Sequence, residues 1–204
     1  MCNGRICTKL GMSRVFTENG EAVAVTYLQV EPNHVIRTKS KNKDGYDAVV
    51  LGINPKMWRT RKGNEHTKYS QIKEWKVDSL EGLEPGKELN HVGFEKDAKV
   101  RLTGVSKGKG FQGVIKRYNF SRGPETHGSH HHRKPGSIGM CEFPGRVMKG
   151  KKMPGRMGND TITLKKRTIM EIDEEKGVIA VRGPVPGPNG CRIFVTLSSD
   201  TPVA

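Results

Sequence analysis

The chain has 204 residues, of which 33 % are apolar and 6 % aromatic, and it carries a net charge of +15 at pH 7. This length predicts one or two domains with a moderate core. No apolar run reaches the roughly 18 residues of a transmembrane helix, and the four cysteines lack the CxxC spacing of metal or redox sites. With no secretory signal pattern at the N-terminus, we expect a soluble, cytoplasmic protein with reduced cysteines.

Short β-type runs separated by turns dominate the first hundred residues. We predict strands over 22–30, 46–53 and 98–105, because these runs are rich in β-branched and aromatic residues and lie between turn signals. The stretch 54–80 is polar and weakly periodic, so we expect an irregular loop with a helical turn near 70–75. Its basic residues surround Trp58: Lys56, Arg59, Arg61, Lys62 and Lys68.

Three further β-type runs follow residue 167, at 168–172, 177–183 and 192–197, with turn signals between them. Strands on both sides of an intervening segment can pair and close one barrel. We therefore predict a mainly β fold in which residues 1–105 and 168–204 form a closed β-barrel. Residues 106–167 would be a long, basic, Gly-rich extension, or finger, inserted between strands.

The intervening segment is the most unusual part of the chain. Residues 107–167 contain 15 Lys and Arg but only three Asp and Glu, which accounts for +12 of the net +15. A segment this basic and poor in apolar residues cannot cover its charge with a core of its own, so its natural counter-surface is a polyanion such as RNA or DNA. Because aromatics are few, we expect phosphate contacts rather than stacking of successive bases.

The segment opens with glycines alternating with Lys107 and Lys109, which lets the backbone approach phosphates closely. The run 114–118 predicts a short helix that begins on these glycines and turns its first N–H groups toward a phosphate. Neither GxxxxGK[ST] nor GxGxxG occurs here, which argues against a mononucleotide site.

A histidine cluster follows at 127 and 130–132. Successive side chains point apart, and no cysteine or carboxylate stands at ligand spacing, so zinc binding is disfavoured. A nucleophile pair of Cys141 with one of these histidines is also weak, because nothing orients the imidazole. We expect the rings to contact phosphate and sugar instead.

The predicted RNA-binding residues are cationic or imidazole side chains of this segment: Lys107, Lys109, Lys116, Arg117, His127, His130, Arg133, Lys134, Arg146, Lys149, Lys151, Lys152 and Arg156. Pro-Gly turns divide the segment into two arms. Its apex, the part reaching furthest, is predicted at Met140, Cys141, Glu142 and Phe143.

Two other function classes can be weighed against structural RNA binding. An RNA-directed methyltransferase or nuclease would need a cofactor loop or clustered carboxylates, and the segment's three acidic residues are far apart. A DNA-binding module would need an amphipathic recognition helix, which does not accompany the basic run. We expect no catalytic residues, cofactor, metal or small-molecule substrate.

Several motifs resemble those of large-subunit ribosomal protein three, bacterial type, and they occur in that family's order. They are KGKGFQG at 107–113, THGS at 126–129, PGSIG at 135–139, PGRV at 144–147, KGKKM at 149–153, KLGMSRVF at 9–16 and GPVPG at 183–187. The resemblance covers essentially the whole chain. It implies a translation-protein-type barrel whose extension threads into rRNA toward the peptidyl transferase centre. It also implies primary binding near the 3′ end of 23S rRNA, nucleation of large-subunit assembly, and contacts with large-subunit proteins fourteen and nineteen. A non-ribosomal, accessory RNA-binding protein is the alternative.

The chain departs from the family pattern at Met140 and Glu142, where many bacterial members carry glutamines. In some members the second glutamine is methylated on its side-chain amide. Glu142 has no amide nitrogen, so we expect no such modification here.

Overall fold

A computed structural model describes residues 2–89 and 93–197 of the chain. It divides into two units, one made of the residues up to Val105 and those from Thr161 onward, the other of Ser106–Asp160. The strands are β1 (Gly4–Phe16), β2 (Ala22–Val30), β3 (Asn33–Lys39), β4 (Ala48–Arg59), β5 (Glu65–Lys76), β6 (Glu88–Leu89), β7 (Lys99–Val105), β8 (Phe111–Gln112), β9 (Gly155–Arg156), β10 (Thr161–Asp173), β11 (Val178–Arg182) and β12 (Arg192–Leu197). The helices are α1 (Lys41–Asp44) and α2 (Val114–Tyr118). The prediction of a mainly β protein is confirmed.

Six antiparallel strands of the first unit pair in a closed ring, in the order β1, β12, β7, β10, β11, β2. Alternate residues of these strands point inward, and each fully buried aliphatic side chain contributes about 1.5–3 kcal/mol to folding. The fully buried residues include Leu28, Leu102, Ile169, Ile179 and Ile193. Strands β2 and β12 have the bounds predicted from the sequence.

Strand β10 begins at Thr161 rather than at the predicted 168, and the second unit accordingly ends at Asp160 rather than at 167. Residues 161–164 pair with 102–105 of β7. A register shift separates Leu164 from Arg167, and Lys166 there has a φ of 55°. The exposed Lys165 and Lys166 at this irregularity interrupt the alternation of apolar and polar residues. The start of β10 is therefore set by its pairing with β7, which the local hydrophobic pattern does not show.

A second sheet has the order β5, β4, β3, β6. The prediction of an irregular loop over 54–80 was wrong, because β4 and β5 form a hairpin paired from Ala48–Lys76 to Arg59–Glu65. Only its inner half is packed, with Val49, Leu51 and Ile53 of β4 buried, whereas residues 54–59 are exposed. The outer half therefore carries no hydrophobic periodicity that could reveal a strand.

The buried side chain of Asn33 joins this second sheet to the ring. Its Oδ1 accepts a hydrogen bond from the Ile6 N–H at 2.8 Å, and its Nδ2 donates to the Ile6 carbonyl at 3.2 Å. Trp75 packs nearby against Gly4, where a Cβ would overlap the indole, and its Nε1 donates to Thr196 Oγ1 at 3.2 Å. The packing of Trp75 therefore requires a glycine at the first position of β1.

The four cysteines are free thiols in different environments. Burial raises the pKa of Cys7 to about 12, with Arg5 opposing the shift and Glu31 adding to it. The thiolate is the reactive form, and a raised pKa keeps its fraction low until the pH approaches that value. Cys141, by contrast, is exposed.

We therefore predict that an alkylating reagent labels Cys141 rapidly in the folded protein, and that raising the pH from 7 to 9 leaves Cys7 unlabelled. Peptide mass spectrometry after timed quenching checks this outcome. Labelling in denaturant is the control, since all four cysteines should then react. Rapid modification of Cys7 without denaturant would contradict the burial described above.

Candidate nucleic-acid interface

The two ends of the second unit pair with each other as a short antiparallel ribbon. Strands β8 and β9 form its regular part. Beside them, the Lys109 N–H donates to the Met157 carbonyl and the Met157 N–H donates to the Gly110 carbonyl, both at 2.9 Å. The ribbon gives the otherwise coreless unit a fixed starting geometry.

Two glycines allow backbone segments of this unit to approach each other closely. Gly158 has a φ of 74°, and a Cβ there would overlap the carbonyl oxygen of Lys107. A Cβ on Gly123 would overlap the carbonyl oxygen of His131, and the Gly123 N–H donates to the His132 carbonyl at 3.0 Å. No other residue fits these two crossings without a shift of the backbone.

The predicted helix over 114–118 is present as α2, with Gly113 at its N-cap and Asn119, at a φ of 58°, ending it. Arg117 of this helix is half-buried, and its Nη1 donates to the Met153 carbonyl at 2.8 Å. Its guanidinium also lies 5.1 Å from the centroid of the Tyr118 ring. Arg117 thus ties the first arm of the unit to the second, a role that the sequence did not predict.

The histidine cluster lies in a folded loop. His132 Nδ1 is 2.8 Å from the Pro124 carbonyl oxygen, and His131 Nε2 is 3.1 Å from that of Lys134. His127, at a φ of 57°, and His130 are exposed. Across residues 2–89 and 93–197, no group of three or more His, Cys, Asp or Glu is placed to hold a metal ion. His131 and His132 therefore stabilise the loop through contacts with backbone carbonyls, whereas His127 and His130, the two predicted to bind RNA, are exposed to solvent.

The predicted RNA-binding side chains are almost all on the surface of this unit. Twelve of the thirteen are exposed, and the exception is Arg117. Exposed cations with so few carboxylates nearby raise the local concentration of polyanions. The exposed members are Lys107, Lys109, Lys116, His127, His130, Arg133, Lys134, Arg146, Lys149, Lys151, Lys152 and Arg156.

The four residues predicted as the apex are also exposed, and two are large apolar side chains. Met140 is 70 % and Phe143 88 % accessible. Met140, Ile138 and Met148 line an open cavity of about 300 Å³ together with Arg146 and Lys151. The cations here were predicted from the sequence, whereas the cavity that the apolar side chains form beside them depends on the folded loop.

A β-domain with a basic insertion, whose exposed cations are held by glycine crossings and backbone pairing, has the electrostatic pattern typical of a structural nucleic-acid-binding protein. Within the described ranges, no helix is long and apolar enough to cross a membrane.

Comparison with known proteins specifies the family. The family model of Ribosomal protein L3 matches residues 65–181. Curated proteins called Large ribosomal subunit protein uL3 are similar over nearly the full length. The one from Staphylococcus epidermidis is 40 % identical, with 97 % of both chains covered. Those from Alkaliphilus metalliredigens and Bacillus mycoides are each 44 % identical, covering 91 % and 96 % of this chain and 92 % and 96 % of theirs. The chain belongs to the ribosomal protein L3 family, and it is accordingly a structural ribosomal protein rather than an enzyme.

Proposed function

We propose that this protein is a constituent of the large ribosomal subunit whose insertion, residues 106–160, binds 23S rRNA. The observation that carries this proposal is the exposure of twelve of the thirteen predicted RNA-binding side chains on a unit without an apolar core of its own. Within residues 106–160, 12 Lys and Arg stand against three Asp and Glu. Membership in the ribosomal protein L3 family supplies the ribosomal context.

The lysines and arginines of the insertion neutralise phosphates, releasing counterions and making binding steeply dependent on salt. Phosphate contacts position a protein without reading bases, so specificity comes from the shape of the folded RNA. The glycine crossings and the bond from Arg117 to Met153 hold the cations in a partly preset arrangement. Preorganisation reduces the conformational entropy lost on binding.

The resemblance of the motifs to those of the family supports a more detailed proposal for the position of the protein in the subunit. In this proposal, the β-domain is a translation-protein-type barrel that binds near the 3′ end of 23S rRNA and nucleates assembly of the subunit. The insertion is an extension that reaches toward the peptidyl transferase centre. Large-subunit proteins fourteen and nineteen are its neighbours in the cytoplasmic ribosome.

Sucrose-gradient sedimentation of a native lysate, with mass spectrometry of the fractions at low and high salt, tests the proposal. The chain should travel with the large subunit and stay there through a high-salt wash. Sedimentation at the top of the gradient as a small free protein would contradict it and would favour an accessory, non-ribosomal RNA-binding role.

We predict that the peptide containing Glu142 carries no methyl group in native subunits, because a carboxylate lacks the amide nitrogen that is methylated in some relatives. Mass spectrometry of the native peptide checks this expectation. The variant Glu142→Gln is the matched control, since it restores the acceptor amide. A methyl adduct on the unsubstituted peptide would overturn the prediction.

Substitutions at Met140 or Phe143 should alter peptidyl transfer or drug protection of the subunit if these exposed side chains approach the catalytic RNA. Peptidyl transfer by purified large subunits, compared with a Lys96→Gln control in the β-domain, measures the effect. Unchanged transfer together with unchanged drug protection would refute the placement near the catalytic centre.

A further inference from the structure

The outer half of the β4–β5 hairpin, residues 54–68, is a second basic element, and the insertion does not account for it. Among the described residues, β3 pairs with β4 over 48–52, and the outer residues of β4 pair only with β5. The turn is closed by bonds between Thr60 and Asn64, with the Thr60 N–H donating to the Asn64 carbonyl at 2.8 Å. A two-stranded ribbon on its own is marginally stable in water. The chemistry of its exposed side chains therefore indicates what kind of partner could stabilise it.

One face of this ribbon carries cations and aromatic rings and no carboxylate. Residues directly opposite on paired strands point to the same face. Lys56 lies opposite Lys68, and the neighbouring pair on the same face is Trp58 opposite His66. The two rings are tilted by 32° with centroids 6.3 Å apart. The only acidic residue of the stretch, Glu65, lies opposite Arg59 on the other face.

The exposure of Trp58 is not explained by packing within the protein. Its side chain remains 60 % accessible, and Met57 on the opposite face is 73 % accessible. Trp75, at the inner end of the same hairpin, is in contrast buried in a hydrophobic cluster with Val49, Leu51 and Ile53. An indole left on the surface offers a face on which a nucleobase can stack.

The pairing of Lys56 with Lys68 is unfavourable in the isolated protein, because like charges directly opposite destabilise a sheet. Arg61 and Lys62 in the turn add two more exposed cations. A phosphate lying between the two lysines would turn this repulsion into attraction. The Trp58 ring lies among these cations and offers a face for a base. A nucleic acid therefore complements the ribbon better than an acidic protein surface would.

We propose that the hairpin ribbon 54–68 is a second RNA-binding element, in which Trp58 stacks on an unpaired base while Lys56, Lys68, Arg61 and Lys62 hold the flanking phosphates. This inference rests on the proposed function for the identity of the RNA. It differs from the insertion in chemistry, since stacking adds to phosphate contacts here. β-Ribbons are known readers of nucleic acids.

The test uses the full-length protein and a transcript of the 3′-terminal part of 23S rRNA. Replacing Lys56, Arg61, Lys62 and Lys68 with Gln should reduce the slope of log K against log salt by about 3, at roughly 0.7–0.9 per lost phosphate contact. The charge-matched control replaces the exposed Lys41, Lys43, Lys96 and Lys99 of the same unit with Gln. It should leave the slope within one unit of the unsubstituted protein, and circular dichroism shows that both variants fold.

Trp58 provides a separate readout. Trp58→Ala should weaken binding at least fivefold, whereas Trp58→Phe, which keeps a ring, should lose less than threefold, as expected for stacking worth about 1–3 kcal/mol per base. Iodide quenches exposed indoles, and because Trp75 is buried, the accessible emission comes from Trp58. Bound RNA should protect that emission, and Trp58→Phe should abolish the protected component.

The outcomes separate this inference from the proposed function. If charge removal in the insertion weakens binding but the hairpin variants bind like the unsubstituted protein, the hairpin proposal fails and the proposed function stands. Loss of the hairpin variants from large subunits with unchanged RNA affinity would identify a protein partner and also overturn the proposal. If the unsubstituted chain fails to bind the transcript, both fall.

Discussion

Replacing six exposed lysines of the insertion with Gln should weaken binding to 23S rRNA roughly a thousandfold at 0.15 M salt and reduce the salt slope by about 4–5. The residues are Lys107, Lys109, Lys116, Lys134, Lys149 and Lys151. Each is exposed, and within the described residues none of their side chains makes a hydrogen bond, ion pair or cation–π contact that the substitution would break. The effect follows from counterion release, because each lost phosphate contact removes about 0.7–0.9 from the slope. Filter binding over a salt series measures both quantities.

A six-fold variant of the β-domain is the matched control for net charge. It replaces the exposed residues Lys41, Lys43, Lys96, Lys99, Arg101 and Lys165. Both variants lower the net charge by six, so a difference between them reports where the phosphate contacts are made and not the total charge. An unchanged slope in the insertion variant would instead make the β-domain surface the main docking site.

The predictive value of the sequence differs between the parts of this chain for physical reasons. Strands β2 and β12 could be located to the residue, because turn residues bound them and their side chains fit a buried sheet. The outer half of the hairpin could not, because its side chains are exposed on both faces and carry no periodic signal. Strand pairing there comes from the adjacent strand and the turn at 60–64, which a local pattern does not reveal.

The insertion shows the same division. The exposure of its cations could be predicted from charge density alone, because the segment has too few apolar residues to bury them. The internal use of Arg117, His131 and His132 could not, because hydrogen bonds to backbone carbonyls depend on where the chain crosses itself. Those crossings depend on Gly123 and Gly158, whose lack of a Cβ matters only in three dimensions.

Gly158→Ala should lower rRNA affinity about a hundredfold while leaving the salt slope unchanged. The new Cβ would overlap the Lys107 carbonyl oxygen, a backbone atom that cannot move aside without opening the ribbon, and the residue has a φ of 74°. A left-handed alanine costs about 1–2 kcal/mol, and each ribbon hydrogen bond lost adds about 0.5–1.5 kcal/mol. Restoring the β8–β9 ribbon on binding would then cost about 3 kcal/mol of the binding free energy, which corresponds to a hundredfold loss of affinity.

Gly113→Ala is the matched control, because no described atom beyond its chain neighbours lies within 4 Å of a Cβ built at that position. Its backbone, with a φ of −69° and a ψ of 166°, suits any residue. The cations are identical in the two variants, so their salt slopes should coincide with that of the unsubstituted protein, and only Gly158→Ala should shift the affinity. If both variants bind equally well, the ribbon forms only on the RNA and its geometry in the free protein contributes nothing. If Gly158→Ala also lowers the slope, the crossing positions Lys107 and Lys109 for phosphate contacts instead of merely stabilising the insertion.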